Sequence, residues 1–364
     1  MYKSLDIWMP AYLARKRWSR PHGSPVHIVL CVCDHFEPFH DADKKTALER
    51  LDLWKRRWPS LISDFKDVDG VRPRHTFFYP IEQYDKEVLE SLAEVCQLSG
   101  AEVEIHLHHD KDTRDGLRKT LETGKEKFLK HRFLSTDKTG RVRYGFIHGN
   151  WALDNSHQGR NCGVKNELEI LNQTGCYADF TMPSAPHPTQ TKIVNSLYYA
   201  EGSDTPKSHD RGVLVSSEKP KQESGRDLLL VQGPLGLNWR KRKLGFLPRI
   251  ENADLTGANP PRADRMQLWV ELGIHVQGRP DCLFIKLHTH GAIPPNSTMF
   301  LGDPMKHFHQ HLMETYRDNA QYKLHYVTSR EMVNILHGLE EGRKENPGEL
   351  RDYRYRSLMK EKGS

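Results

Sequence analysis

Between residues 102 and 112 the chain sets His106, His108, His109, Asp110 and Asp112 close together. Imidazole nitrogens and carboxylate oxygens are the donors that zinc and related divalent ions take. Side chains two apart on a strand share a face, so His106 and His108 project together if a strand runs through them. A solvated polar loop is the plain alternative. Three further stretches have the same character. A β-branched run over 26–33 meets Asp34 and His35, a run over 142–147 meets His148, Asn150 and Trp151, and a run over 281–287 meets His288 and His290. One histidine near a strand end is usually only solvated. Four such ends in a strand–helix series point to a functional centre at the carboxyl ends of a parallel sheet.

Periodicity supplies the elements that must carry these residues. Residues 26–33 are almost continuously apolar, as in a strand covered on both faces. A helical pattern follows over 42–65, then a strand over 74–80 and an amphipathic helix over 84–98 that Gly100 closes. The strand starting at Glu102 completes a βαβ unit, which implies parallel strands. A charged helix over 111–133, a strand over 142–148, a helix over 164–174 and a short strand over 177–182 continue the series. From 183 to about 249 the pattern is weak; strands are expected at 212–216 and 227–231, and a solvated basic run at 239–243. Helices over 261–276, 305–320 and 329–336, the last capped by Ser329, and strands over 281–288 and 323–327 complete the reading. The charged tail from residue 340 is expected to be loosely held.

With 364 residues, 28% charged and 37% hydrophobic, the chain can bury a full core. No repeat or linker divides it. One α/β domain over 26–340 is expected, with a basic arm over 1–25, an insertion around 183–250 and a tail over 341–364. The net charge of +6 is small for this length and does not demand nucleic acid. The first ten residues lack the pattern of a secretory signal, and no window approaches a membrane span. Six scattered cysteines, with Cys31 and Cys33 read as small core residues, fit a reduced cytoplasmic setting. The oligomeric state is not legible.

Four motifs follow in order: Asp34-His35, Thr76-Phe77-Phe78, Glu102-Val-Glu-Ile-His106 and Leu287-His288. This order resembles the NodB-type polysaccharide deacetylases, carbohydrate esterases built on a distorted, incomplete (β/α) barrel, and covers about residues 26–340. The resemblance implies a divalent metal, zinc first among the candidates, and hydrolysis of an N-acyl group on a sugar. It makes Asp34 the general base, His288 the catalytic acid, and His35, His106 and Asp110 the metal ligands. A second register uses Asp34, His106 and His108, and His109 and Asp112 stay open. His148, Asn150, Trp151 and His290 are expected around the substrate, with Trp151 and Tyr79 as sugar-stacking rings or core residues. The family's Asp-Asp pair is absent, and His148-Gly-Asn-Trp151 replaces its Arg-X-Pro, which leaves His148 or Arg160 to orient the base.

A nucleotide-linked or lipid-linked sugar, or a glycan precursor at the inner membrane face, suits the missing signal and the basic arm. Two rival readings remain. His-X-His at a strand end also marks metal hydrolases of the amidohydrolase and PHP type. The missing Arg and Asp-Asp motifs would suit a catalytically silent glycan-binding barrel.

Overall fold

The computed structural model describes residues 4–219 and 227–359. The first half of the chain alternates: α1 (Leu5–Ala14), β1 (Val26–His35), α2 (Lys44–Ile62), β2 (Thr76–Pro80), α3 (Lys86–Ser99), β3 (Glu102–Leu107) and α4 (Arg114–Leu129). Then come β4 (Ser135–Asp137), β5 (Val142–His148), α5 (Glu167–Thr174), β6 (Cys176–Asp179), β7 (Leu197–Glu201), β8 (Val213–Leu214) and β9 (Asp227–Val231). A two-stranded ribbon, β10 (Gly236–Lys243) and β11 (Leu247–Glu251), precedes β12 (Asp254–Leu255), α6 (Ala263–Leu272) and β13 (Cys282–Thr289). The chain closes with α7 (Pro294–Phe300), α8 (Asp303–Thr315), β14 (Tyr322–Val327), α9 (Ser329–Glu340) and β15 (Tyr355–Ser357).

These elements make a mixed α/β fold around a large, mostly parallel sheet. Its main path runs β12-β13-β1-β2-β3-β5-β6-β9-β7-β8. β1 lies at the centre. It pairs with β13 along one side; on the other, β14 pairs with its first six residues and β2 takes over at Cys33. Being covered on both faces, β1 needs apolar side chains at successive positions. Val26, Ile28, Leu30 and Val32 pack against Leu51, Trp54 and Trp58 of α2, whereas Val29, Cys31 and Cys33 pack with Phe78, Ile147, Phe284 and Met332. The first set defines the outer face of the sheet and the second its inner face.

Register brings the polar strand ends together. Cys33 lies opposite His288, Pro80 opposite His106, and Leu107 opposite His148, all in parallel pairs. At the other end of the strands, α9 begins beside Thr76 and Glu102 and is buried along its whole length. Its cap is Thr328, in a capping box with Glu331, rather than Ser329.

Other differences from the sequence reading have physical causes. Residues 183–250, expected as an insertion, supply β7, β8 and β9 to the sheet. The basic run at 239–243 belongs to a ribbon whose tip exposes Leu244 and Phe246, so no buried face leaves an alternating pattern to read. The tail is not loose over its described part: β15 pairs with β4, Leu350 and Tyr355 are buried, and Arg351 bonds Asp67 and Asp69. In the N-terminal arm, Trp8 and Tyr12 of α1 are buried against Leu235, Leu268 and Leu272. Among the described residues no helix is long and apolar enough to cross a membrane.

Candidate metal centre

Strand alternation decides which polar residues meet at the carboxyl ends. On β1 the inner face carries Cys31, Cys33 and then His35; on β3 the outer positions are Val103, Ile105 and Leu107, which leaves His106 inside. On β13, Leu283, Ile285 and Leu287 point outward, which leaves His288 inside. The inner face thus ends in a cavity of about 350 Å³, lined by His35, Glu37, His106, His108, Trp151 and His290 among others.

Three ligand atoms converge there. His106 Nε2 lies 3.0 Å and His108 Nε2 3.2 Å from Glu37 Oε1. The opposite ring nitrogens are held by acceptors: His106 Nδ1 donates to the Ile147 carbonyl at 2.9 Å, and His108 Nδ1 to Glu82 Oε1 at 2.8 Å. A carbonyl or carboxylate on Nδ1 fixes the tautomer that offers Nε2 to a metal. Burial opposes the charge on Glu37, yet its bonds to His106 and His108 hold it well below the usual carboxylate range. Two imidazoles and one carboxylate beside an open cavity fit zinc in the three-ligand form that leaves a position for water or substrate. The donor set therefore fits the implied metal.

Two other pocket imidazoles, His35 and His290, are disfavoured as cations. Burial pushes His35 down, reinforced by His290, His106 and His288, whose rings surround it at 4.7, 5.1 and 6.1 Å. Burial also lowers His290, against the pull of Glu37 and Asp34. Trp151 stands at the cavity wall with its ring 6.3 Å from that of His290, and Asn150 is exposed beside it.

Several expected residues lie elsewhere. Asp34 is on the outer face of β1, fully buried; its carboxylate is bound to His75 Nε2 at 2.9 Å and to the Gly291 amide at 2.6 Å. It does not line the cavity. Asp110 is exposed and accepts from the Asn161 amide at 2.6 Å, because the chain leaves the strand at Leu107 and carries the carboxylate away. His148 shares the outer face with Tyr144 and Phe146 and turns towards His109 and Glu167. The ring of His288 is 6.1 Å from that of His35, its Nε2 is 3.9 Å from Asp254 Oδ1, and burial and the Lys286 charge push its pKa well down. Arg160 is exposed, and Tyr79 is buried core with its hydroxyl on the Gln83 carbonyl. Arg15, Lys16 and Arg17 line a separate cavity of about 770 Å³ that shares no residue with the histidine pocket.

Glu37 was missed in the sequence, although a signal existed: it continues the parity of Cys33 and His35. Glu82, just past the end of β2, was missed as well, and nothing in its own neighbourhood marks it.

Two predictions arise here. Glu82→Gln is expected to weaken metal binding about 10–100-fold, the usual cost of losing a ligand's outer hydrogen-bond partner; an unchanged dissociation constant in a competition titration would count against the arrangement. The second concerns pH. Burial disfavours a charged His108, but Glu37 and Glu82 on either side outweigh it and raise its pKa to about 9. A metal takes the Nε2 lone pair, so below that pH binding must expel one proton. Affinity is then expected to rise about tenfold per pH unit up to about pH 9 and to level off above it. Calorimetric titration of the metal in buffers of different ionisation enthalpy reads that proton directly.

A scan against protein-family models and a search of curated proteins found no match for this chain.

Proposed function

We propose that this chain is a metal-dependent hydrolase that removes an acyl group from the nitrogen of a sugar. The observation that carries the reading is the convergence of His106 Nε2, His108 Nε2 and Glu37 Oε1 on the wall of an open cavity. A divalent metal held there supplies a polarised carbonyl and a water acidic enough to attack at neutral pH. The residues supply the rest. A neutral His290 has a free lone pair, so one of its ring nitrogens can take the water's proton and return it to the departing amine. It replaces Asp34 and His288 in these roles, since neither lines the cavity. The Trp151 face and the Asn150 amide at the wall suit a sugar ring and its hydroxyl groups.

Further features support the deacetylase-like reading of the fold. Beyond the named strands, Ser216 bridges Gln277 in parallel, and the Phe284 amide of β13 donates to Ile274. These links draw the β8 and β13 edges towards each other, as a distorted, incomplete barrel requires. The six cysteines are buried and unpaired, which fits a cytoplasmic setting.

One observation favours a second reading. His106 and His108, two residues apart, both meet the same carboxylate, the ligand pattern of amidohydrolase and PHP phosphoesterases. Incubation of the metal-loaded chain with N-acetylated amino sugars and with phosphomonoesters separates the two. Acetate release that stops on chelation is the expected result; phosphate release without acetate would transfer the site to the second class.

A further inference from the structure

On the outer face of the sheet, away from the cavity, a different group of side chains converges. His109, His148, Cys162 and Glu167 each offer one ligand atom, and these atoms all lie within 4.8 Å of one another. They come from the loop after β3, the last residue of β5, the irregular segment that follows and the first residue of α5. His109 Nε2 lies 2.9 Å from His148 Nε2 and 3.2 Å from Glu167 Oε1, and His148 Nε2 is 3.4 Å from the same oxygen. The Cys162 thiol stands 3.6 Å from Glu167 Oε2.

The hydrogen bonds behind these atoms fix their chemistry. His109 Nδ1 donates to Asp112 Oδ2 at 3.0 Å, and His148 Nδ1 donates to the Gly149 carbonyl at 2.6 Å. A carboxylate and a carbonyl only accept, so each Nδ1 carries a proton and each Nε2 is left to face the Glu167 carboxylate. Two imidazole nitrogens, a carboxylate oxygen and a thiol facing one point call for a cation among them.

We propose that this cluster is a second metal site, binding one Zn²⁺ through His109 Nε2, His148 Nε2, Cys162 Sγ and Glu167 Oε1. Four protein donors including sulfur, with His148, Cys162 and Glu167 buried, are the closed shell of a structural zinc site. Asp112 and Gly149 are the outer partners that orient the imidazoles. Loading releases to solvent the Cys162 thiol proton and the proton that the His109 and His148 Nε2 atoms share, and involves no redox change.

The site has a clear task. The segment between β5 and α5 holds no α-helix or strand, and Asn150, Trp151, Asp154 and Asn155 all sit in the left-handed region with φ of 53–54°. Non-glycine residues persist there only when their surroundings over-determine them. A zinc joining His148, Cys162 and Glu167 would hold both ends of this segment, which carries the Trp151 wall of the cavity. The proposal stands on the cluster's own geometry and does not depend on the reaction assigned to the cavity.

The test uses the full chain, stripped with a chelator and reloaded with Co²⁺ alone. The cavity ligands contain no sulfur, so a thiolate-to-cobalt charge-transfer absorption reports this cluster. The band is expected in the wild type, complete by two equivalents because the cavity also takes cobalt, and in Glu37→Gln complete by one; Cys162→Ser should lose it. A cobalt-loaded wild type without the band, or a Cys162→Ser variant that retains it, overturns the proposal. If Cys162→Ser does not fold, zinc K-edge absorption of the wild type decides: a sulfur scatterer supports the site, and a shell of nitrogen and oxygen alone overturns it. Loss of the cavity metal in Glu37→Gln with the band intact would show the two sites to be separate.

Discussion

Glu37→Gln is expected to empty the cavity of its metal and to lower kcat/KM for deacylation by more than about 100-fold, about 2.7 kcal/mol of transition-state stabilisation. The reason is local. Glu37 Oε1 is the atom on which His106 and His108 both converge, and it is the one carboxylate in the three-donor set. An amide in its place keeps the shape but loses the charge that balances a divalent ion. Losing an outer partner of a ligand already costs about 10–100-fold in affinity, so losing the ligand itself should cost more. Elemental analysis after dialysis, with acetate release from an N-acetylated amino sugar, measures both effects. Asp110→Asn is the companion: its exposed carboxylate only accepts from the Asn161 amide, which asparagine can also do, so metal and turnover should not change. A Glu37→Gln protein with full metal content would sink the assignment, and a metal-free Asp110→Asn protein would restore the other register.

The second large effect is on stability. Glu102→Ala is expected to destabilise the fold by about 3–5 kcal/mol, because it removes the two-point partner of a buried guanidinium and leaves it the half-exposed Asp352 and the more distant Glu331. Arg330, on the first turn of α9, is fully buried; its Nη2 lies 2.7 Å from Glu102 Oε1 and its Nε 3.0 Å from Oε2. Its Nη1 also bonds the Tyr355 carbonyl at 2.7 Å, so one guanidinium ties β3, α9 and the C-terminal strand. Glu102 opens β3 whereas His106 nears its far end, so the variant should lose stability and still bind metal when folded. Urea unfolding with an unchanged slope reads the loss. The exposed Asp52–Arg56 pair on α2 is the control, since removing such a pair costs about 0.3–0.5 kcal/mol. A Glu102→Ala cost no larger than that would mean the buried pair does not hold these elements together.

Much of the scaffold was legible because it rests on periodicity. The apolar run before Asp34, the helix–strand passage up to His106 and the run before His288 read correctly as strands of a parallel sheet. Their histidines do gather at its carboxyl ends. Side-chain parity joins His106 and His108 and applies equally to the other strands. It separates Asp34 from His35 and turns His148 away from His106, and it would have brought forward Glu37 in place of Asp34. Asp110 could not be placed by parity, because the chain has already left the strand. The ribbon of β10 and β11 and the packed tail left little pattern, since one is mostly exposed and the other is fixed by ion pairs from distant residues such as Asp67. The cluster of His109, His148, Cys162 and Glu167 spans 58 positions with no short motif, and only the fold assembles it.

The central claim is that a metal sits on Glu37, His106 and His108, and anomalous diffraction at the zinc edge from a zinc-loaded crystal tests it most directly. The expected result is a peak within bonding distance of Glu37 Oε1, His106 Nε2 and His108 Nε2, open to the cavity on its remaining side. No peak in that cavity, or one bound to Asp34 or Asp110 instead, would contradict the account.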